Sequence, residues 1–492
     1  MVLTFGLVLL ILLIALHSYS MVIAFLLLLD NREASSTLAW ILVLVLLPVV
    51  GIVFYFLFGQ NWRKNARRIK KEGNILENNL ARKFKELLLN QSNEIKKLKY
   101  VEKKSFDNKL LKLLLNNSYS LLTTNNEVNV FVSGKEKFDS LIKDIKNAKK
   151  YIHLEYYILV SDKLTSKIKK ILIEKAREGV EVRILCDKAG SFFLADDFKH
   201  ELRKNGVQIK EYDNFLYLSK LHTINYRNHR KIVIIDGDIS YIGGMNMSQE
   251  YIDGGKKFKS WRDTHIRILG DASKILQLIF SITWYLTTKE QLFSKKYYPS
   301  TNIIKKKVKS KVPLQIITSG PDTEWQSIEQ LYFTLINAAK KEVMLQSPYL
   351  LTTPSIAMAL KTAALSGVDV KVMVSGHFYG NMPHYATYSY LEDLMKAGVK
   401  VYMYTAGFLH SKTLVVDKIL YSVGSANMDV RSMSLNYEVN ALIYEDNIAK
   451  AQRDQFLKDL KKCNQFTLEE YYKFSFWKRL RISISRLGAP LL

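Results

Sequence analysis

The chain of 492 residues is 48% hydrophobic and 24% charged, an ordinary globular composition with room for two or three domains and their cores. Two cysteines, Cys186 in the apolar run VEVRILCD and the distant Cys463, exclude a disulfide framework or a cysteine metal site and fit a reduced compartment. The net charge of +26 calls for an anionic partner, whether nucleic acid, an acidic membrane surface or a phosphorylated substrate, and does not by itself choose among them.

Val2 to Leu29 is almost wholly apolar, interrupted only by HSYS at His17–Ser20, and a second run extends from Leu38 to Phe58. As a helix the second run is about 30 Å long, the thickness of a bilayer core. Two such runs back to back predict two transmembrane helices, a hairpin over residues 1–60. A cleaved signal peptide fits poorly, because no basic residue precedes the first run and the run is too long. The segment NWRKNARRIKK, Asn61–Lys71, holds six basic residues, whereas the loop between the runs has only Arg32. The positive-inside bias therefore places that loop outside and everything after Gln60 in the cytoplasm. Residues 61–125 read as a basic, mainly helical linker. Its charge either holds the body against an anionic leaflet, at about 1 kcal/mol per basic residue near the surface, or is simply solvated.

Beyond the linker the chain repeats itself. IKNAKKYIHLEYYI (Ile145–Ile158) matches LINAAKKEVMLQSPYL (Leu335–Leu350), EGVEVRILCD (Glu178–Asp187) matches SGVDVKVMVS (Ser366–Ser375), and NGVQIKEYD (Asn205–Asp213) matches AGVKVYMYT (Ala397–Thr405). In the last two pairs a glycine closes a helical pattern and a β-branched strand follows. Strands alternating with helices predict an α/β fold with a mostly parallel, helix-covered sheet in each copy. The period of about 190 residues is too long for a solenoid and fits a duplicated domain. The expected domains are 126–305 and 306–492, the second entered through the basic stretch KKKVKSK at Lys305–Lys311.

Each copy carries one motif: His, any residue, Lys, four residues, Asp, six residues, Gly, Gly or Ser, any residue, Asn. It runs from His229 to Asn246 and again from His410 to Asn427. Residues two apart on a strand share a face, so His229 projects with Lys231 and His410 with Lys412. A doubled His–Lys pair is a cationic site suited to phosphate, and two halves meeting at a pseudo-symmetric interface form one shared active site. Gly243, Gly244 and Gly424 allow close backbone approach and place Asn246 and Asn427 as amide donors to a phosphate. One neutral imidazole can attack phosphorus to give a phosphohistidine, and a second, protonated one can serve the leaving and incoming alcohols. Lys231 and Lys412, with the two asparagines, stabilise the equatorial oxygens. No carboxylate cluster suggests a metal, and no cofactor is expected. Each imidazole needs a carboxylate to fix its tautomer; SWRDTHIRI supplies Asp263, 34 residues after His229, and LNYEVNALI supplies Glu438, 28 after His410. Asp236 and Asp417 enter the catalytic set as motif members, but sit at strand ends with their backs to the His–Lys face and are expected to be structural. His17, His153, His200, His222, His265, His377 and His384 have no such second copy and read as core, surface or supporting residues.

With these residues in place, the sequence resembles the phospholipase D superfamily, and more narrowly its bacterial cardiolipin synthases. The resemblance runs almost end to end, through AWILVLVLLPVVGIVFYFLFG, EYYI, NHRKIVIIDG, WRDTH, SGPD, GSANMDVRSMSLNYE and RLGAPLL. It implies two tandem phospholipase-D-like domains, a bacterial plasma-membrane location with a cytoplasmic catalytic body, and transfer of a phosphatidyl group between two phosphatidylglycerols with release of glycerol. It further implies His229 as the nucleophile and His410 as the acid and base. Gly244 stands where the superfamily often has serine; the second copy keeps Ser425. A phospholipid hydrolase shares the same intermediate and differs only in whether water resolves it. A nuclease would suit the charge but needs no bilayer tether, so no nucleic-acid partner is expected, and a non-enzymatic scaffold would not retain every motif residue. The C-terminal YYKFSFWKRLRISISRLGAPLL alternates aromatic and basic residues and reads either as an interfacial segment or as a packed terminal helix.

Overall fold

The computed structural model describes residues 2–30, 34–59, 108–212, 226–377 and 381–488. The linker expected over 61–125 lies outside the described residues up to residue 107, as do His222 and residues 489–492.

The N-terminal unit consists of α1 (Val2–Leu29), α2 (Ala34–Leu46), α3 (Pro48–Phe54) and a π-helical turn at Tyr55–Gly59. Leu7 to Ile14 are each about half exposed around the whole circumference of α1, which requires an apolar solvent. Phe5–Leu29, 25 residues with mean hydropathy 2.5, is long and apolar enough to cross a membrane. The second run departs from expectation. Pro48 has no N–H to donate and its ring clashes with a continuing helix, so α2 stops after 13 residues. Leu47 leaves helical geometry at φ −132°, ψ 63°, and Pro48 starts α3. Among the described residues one helix alone is long enough to span. The pieces pack on one another through Ile23, Ala24, Leu27 and Leu44, and Ser20 Oγ donates to the Leu44 carbonyl at 2.5 Å.

The body is α/β and repeats one topology twice. The first sheet comprises β1 (Asn126–Phe131), β2 (Tyr151–Tyr156), β3 (Glu181–Asp187), β4 (Gln208–Tyr212), β5 (Lys231–Ile235), β6 (Ile239–Gly243) and β7 (His265–Gly270), in spatial order β1-β7-β6-β5-β2-β3-β4. The second comprises β8 (Leu314–Ser319), β9 (Glu342–Gln346), β10 (Asp369–Ser375), β11 (Lys400–Tyr404), β12 (Thr413–Val416), β13 (Leu420–Gly424) and β14 (Glu438–Ile443), in the same order β8-β14-β13-β12-β9-β10-β11. It is extended at one edge by Cys463–Phe466 and at the other by Leu122–Thr123. In each sheet three strands run parallel, and the first strand of the motif hairpin pairs antiparallel with one of them before the second reverses direction. The sheets are therefore mixed, not mostly parallel: helices connect the parallel strands, whereas the motif is a tight hairpin that must reverse direction.

Alternation along the strands builds three apolar layers. Val233 and Ile235 face the core under α5 (Gly134–Asn147) and α6 (Lys163–Arg177). Leu414 and Val416 face the core under α9 (Ser327–Ala338) and α10 (Pro354–Leu365). The intervening Ile232, Ile234 and Val415 enter a third core that both halves share, filled from α8 (Ala272–Thr288) by Leu276 and Phe280 and from α12 (Asp446–Leu460) by Phe456. α4 (Asn108–Ser118) inserts Leu110 and Leu114 beside α9, so residues 108–123 pack on the second sheet. α7 (Asp196–Lys204) follows β3 in the first half, and α11 (Asn381–Lys396) follows β10 in the second. The C-terminal α13 (Phe476–Leu487) packs on α11, burying Ile482 and Ser485 while leaving Phe476, Trp477, Ile484 and Leu487 exposed.

Candidate active site

The two motifs meet because each half lends a strand to the other. Phe408–Leu409, just before His410, pairs in parallel with Trp261–Arg262, just before Asp263. Asn228, just before His229, bridges Tyr437, just before Glu438. The backbone repeats the exchange: His229 N donates to the Tyr437 carbonyl at 3.0 Å, and His410 N donates to the Arg262 carbonyl at 2.8 Å. These ladders set each histidine beside the other half's carboxylate. His229 Nδ1 lies 2.9 and 3.1 Å from the two Glu438 oxygens, and His410 Nδ1 lies 2.7 Å from Asp263 Oδ2. Both carboxylates expected from sequence lie against the motif histidines, but with the partners exchanged: Glu438 meets His229 and Asp263 meets His410, because the strand pairing between the halves brings each histidine to the other copy's carboxylate.

A carboxylate on Nδ1 keeps the proton there and leaves Nε2 with its lone pair, the tautomer a nucleophile or base needs. Burial depresses both imidazoles: His229 is held at about 4 and His410 at about 3, in each case against the pull of the neighbouring carboxylate. Glu438, although buried, is held below the usual carboxylate range by His229 and Lys231, which outweigh its own desolvation.

Lys231 and Lys412 are 0% and 1% exposed. Lys231 Nζ donates to the His229 carbonyl at 2.6 Å, and Lys412 Nζ donates to the His410 carbonyl at 2.5 Å. Desolvation lowers them to about 7 and about 8, with Glu438 raising the first and Asp263 the second. Two buried cations whose charge is this costly gain most from an anion placed between them.

Asn246 and Asn427 are buried beside these groups, and each amide nitrogen donates to a tyrosine hydroxyl: Asn246 to Tyr251 at 2.7 Å, Asn427 to Tyr349 at 2.8 Å. The position after the motif's first glycine differs between copies. Ser425 Oγ donates to Glu438 Oε2. At Gly244 a Cβ would lie 2.2 Å from Asp263 Oδ1, so no larger residue fits without moving that carboxylate.

Asp236 and Asp417 do not join the site. They turn the motif hairpins with φ of 52° and 53°, and each carboxylate accepts three backbone N–H groups at the start of the neighbouring strand. For Asp236 these come from Lys149, Lys150 and Tyr151 at 2.8, 2.7 and 3.0 Å; for Asp417 from Lys340, Lys341 and Glu342 at 2.8, 2.7 and 2.9 Å. Five residues of strand, about 16 Å, separate each from its lysine.

Of the other histidines, His153 and His265 are fully buried, His153 stacked on Phe280 at 4.5 Å and bonded to Gln277, while His17, His200 and His377 are exposed. His384 packs half-buried between Tyr385 and Tyr388.

Aromatic rings that sequence reasoning did not single out complete the walls. Tyr157 packs edge-on against His229 at 4.8 Å, with Lys231 Nζ 5.2 Å from its centroid. Tyr251, Trp261 and Phe408 surround His410 at 5.9, 5.6 and 5.8 Å. Tyr157 and Trp261 stand at strand ends beside motif residues, a positional signal present in EYYI and WRDTH. Tyr251 and Tyr349 carry no comparable signal.

Residues 141–256 and 332–460 match the family model described as cardiolipin synthase, PLD-like domain, and residues 20–60 match the phospholipase D-nuclease N-terminal model. The chain is 41% identical over 472 residues to the major cardiolipin synthase of Bacillus subtilis (strain 168), covering 94% of this chain and 95% of that protein. It is also 41% identical over 478 residues to a cardiolipin synthase of Listeria monocytogenes serotype 4a (strain HCC23), with 94% and 95% covered. The fold is similar to the crystal structure of a phosphatidylserine synthase from Haemophilus influenzae Rd KW20, with TM-score 0.57 and 16% identity over 78% of this chain and 99% of that one.

Proposed function

The chain belongs to the phospholipase-D-like cardiolipin synthases and is a phosphatidyltransferase, and from that premise we propose how its site carries a phosphatidyl group from one phosphatidylglycerol to another. The observation that supports the reading is the exchange of carboxylates: each motif histidine, two residues before a buried lysine, is bonded to a carboxylate of the other half.

The phosphodiester anion enters between Lys231 and Lys412, and Asn246 and Asn427 turn their amides from the tyrosines to its oxygens. Its negative charge raises the depressed pKa values of the lysines and of the imidazole beside it, so the site gains protons as substrate binds. His229 Nε2 attacks phosphorus while Glu438 holds the Nδ1 proton and stabilises the positive ring. The bond to the glycerol oxygen breaks, and His410 gives that oxygen its proton. Glycerol leaves. His410, now neutral, accepts a proton from the headgroup hydroxyl of a second phosphatidylglycerol; that oxygen attacks phosphorus, the P–N bond breaks, and cardiolipin forms with His229 restored. Asp263 orients His410 throughout, and Asp236 and Asp417 take no part beyond holding the hairpins.

The second membrane crossing is made by α2 and α3 together, kinked at Pro48, with the basic body on the cytoplasmic face. Purified full-length protein supplied with pure phosphatidylglycerol and no added metal should form cardiolipin and free glycerol in equal amounts by mass spectrometry. Phosphatidic acid as the main product would instead make the chain a hydrolase.

A further inference from the structure

Beside the site, the first half carries an exposed apolar tip that the chemistry leaves unused. Phe192 and Phe193 are 78% and 81% exposed, and their rings touch only edge to face, 5.4 Å apart. Water should disfavour such a pair, and a mobile loop would let it fold away. This loop is tied at every other point. Asp187, the last residue of β3, accepts from Gly190 N through Oδ1 at 2.9 Å and from Asn228 N through Oδ2 at 3.0 Å, so one carboxylate joins the loop to the residue before His229. Ser191 Oγ donates to the Tyr157 carbonyl at 3.1 Å and accepts from Leu159 N at 3.0 Å, and Tyr157 is the ring that packs on His229. Leu194 is buried and closes the far end, and Ala195 N donates to Ser161 Oγ at 3.0 Å. Of the two exposed acids that follow the loop, Asp196 and Asp197, the nearer, Asp196, is paired with Lys199 at 2.7 Å.

We propose that Phe192 and Phe193 insert into the interface of the phospholipid bilayer that supplies the substrate, seating the mouth of the site on the headgroups. The occupant is a bilayer because the tip is rigidly coupled to a site that takes a two-tailed lipid, and because aromatic side chains prefer the headgroup–acyl boundary. The second half carries an exposed apolar set of its own: α13, with Phe476, Trp477 and Leu487 exposed, ends against Met382 at the start of α11. That helix follows β10, whose final Ser375 accepts from Leu409 N, next to His410. Leu365 provides the contrast. It is 75% exposed but precedes β10, at the opposite end of the strands from the site.

The inference rests on a bilayer lipid being the substrate, yet its test reads depth without turnover, whereas a wrong substrate would show in the products from phosphatidylglycerol. A fluorophore is placed by Phe193→Cys or Leu365→Cys in a Cys463→Ser background, Cys186 being wholly buried, in full-length protein reconstituted into phosphatidylglycerol vesicles. The label at 193 should be quenched by brominated acyl chains and shielded from aqueous iodide, and the label at 365 should remain open to iodide. In parallel, Phe192→Ser with Phe193→Ser should lower turnover of vesicle lipid by about tenfold or more through KM, and leave a water-soluble nitrophenyl phosphodiester within about twofold, since the contact is with the membrane alone. A 193 label open to iodide, shielding without quenching by bromolipid (a protein covering the tip), equal shielding at 193 and 365, or unimpaired vesicle turnover would each overturn the proposal.

Discussion

The two halves share a strand order, a motif and a hairpin turn, yet they build unlike surroundings for their histidines. His229 faces a longer carboxylate, Glu438, which is itself held by Ser425, and one aromatic ring, Tyr157. His410 faces the shorter Asp263, pressed against Gly244, and three aromatic rings. Its side chain is 16% exposed, against 10% for His229. Duplication thus delivered two equivalent imidazoles in unlike surroundings, with Glu438 held by the Ser425 hydroxyl and Asp263 by the Thr264 amide; under the proposed mechanism that difference divides the labour, His229 serving as nucleophile and His410 serving the alcohols.

The largest effects should come from breaking that division directly. His229→Ala should lose about 10⁴-fold or more on phosphatidylglycerol, and an activated nitrophenyl phosphodiester should not rescue it, because no leaving group replaces a missing nucleophile. His410→Ala should lose about 10²- to 10⁴-fold on the lipid and recover most of its ability to form the intermediate on the nitrophenyl substrate, whose leaving group needs no proton. Rescue of the His229 variant instead would reverse the roles.

The crossing sharpens the comparison further. Glu438→Gln should behave like a weakened His229 variant and Asp263→Asn like a weakened His410 variant, each costing about 10- to 100-fold or more, as for other residues that orient a reacting imidazole. Only the Asp263 variant should be rescued by the nitrophenyl leaving group. If the carboxylates instead followed the histidine of their own copy, the exchange of strands at Trp261–Arg262 and Phe408–Leu409 would be wrong.

The repeat and the motif could be read from the sequence because both are written locally, as alternating apolar residues, closing glycines and fixed spacings. The positions of Asp236 and Asp417 followed from the same strand arithmetic. The crossing could not be read, because nothing near Glu438 or Asp263 encodes which histidine it meets; that is decided by Asn228 bridging Tyr437, residues far apart in the chain. The tyrosines that hold Asn246 and Asn427 stayed hidden for a similar reason, since they occupy non-equivalent positions in the two copies. Composition alone made Leu38–Phe58 look like one unbroken helix, although Pro48 stands inside it; a residue lacking an amide proton divides it into α2 and α3.

Smaller effects should expose the Gly244 and Ser425 asymmetry. Ser425→Ala removes one donor from Glu438 and should cost about tenfold or less in kcat. Gly244→Ser should cost more, because its Cβ would meet Asp263 Oδ1 at 2.2 Å and displace the partner of His410. Equal effects would mean that the two carboxylates are held alike.

The pH profile should carry the smallest and most graded signature. Lys231 and Lys412 titrate near 7 and 8 in the free protein, so kcat/KM should fall as pH rises through that range and cationic charge is lost. The fall in kcat should come at higher pH, because bound phosphate restores the lysines. The depressed histidines give the opposite limb for stability. Below about 6.5 the unfolded chain takes up protons that buried His229 and His410 refuse, so stability should decline as pH falls toward about 4 and 3. Urea unfolding midpoints between pH 7 and 4 measure this, and His410→Ala should flatten part of the slope.

The most direct test of one shared site with divided roles is to trap the covalent intermediate. Full-length protein is mixed with phosphatidylglycerol labelled at phosphorus, quenched under alkaline conditions that preserve phosphohistidine, and mapped by peptide mass spectrometry. The label should lie on the peptide containing His229, and it should persist longer in His410→Ala, which cannot activate the incoming alcohol. Label on His410, or cardiolipin formed with no labelled histidine at all, would contradict the account.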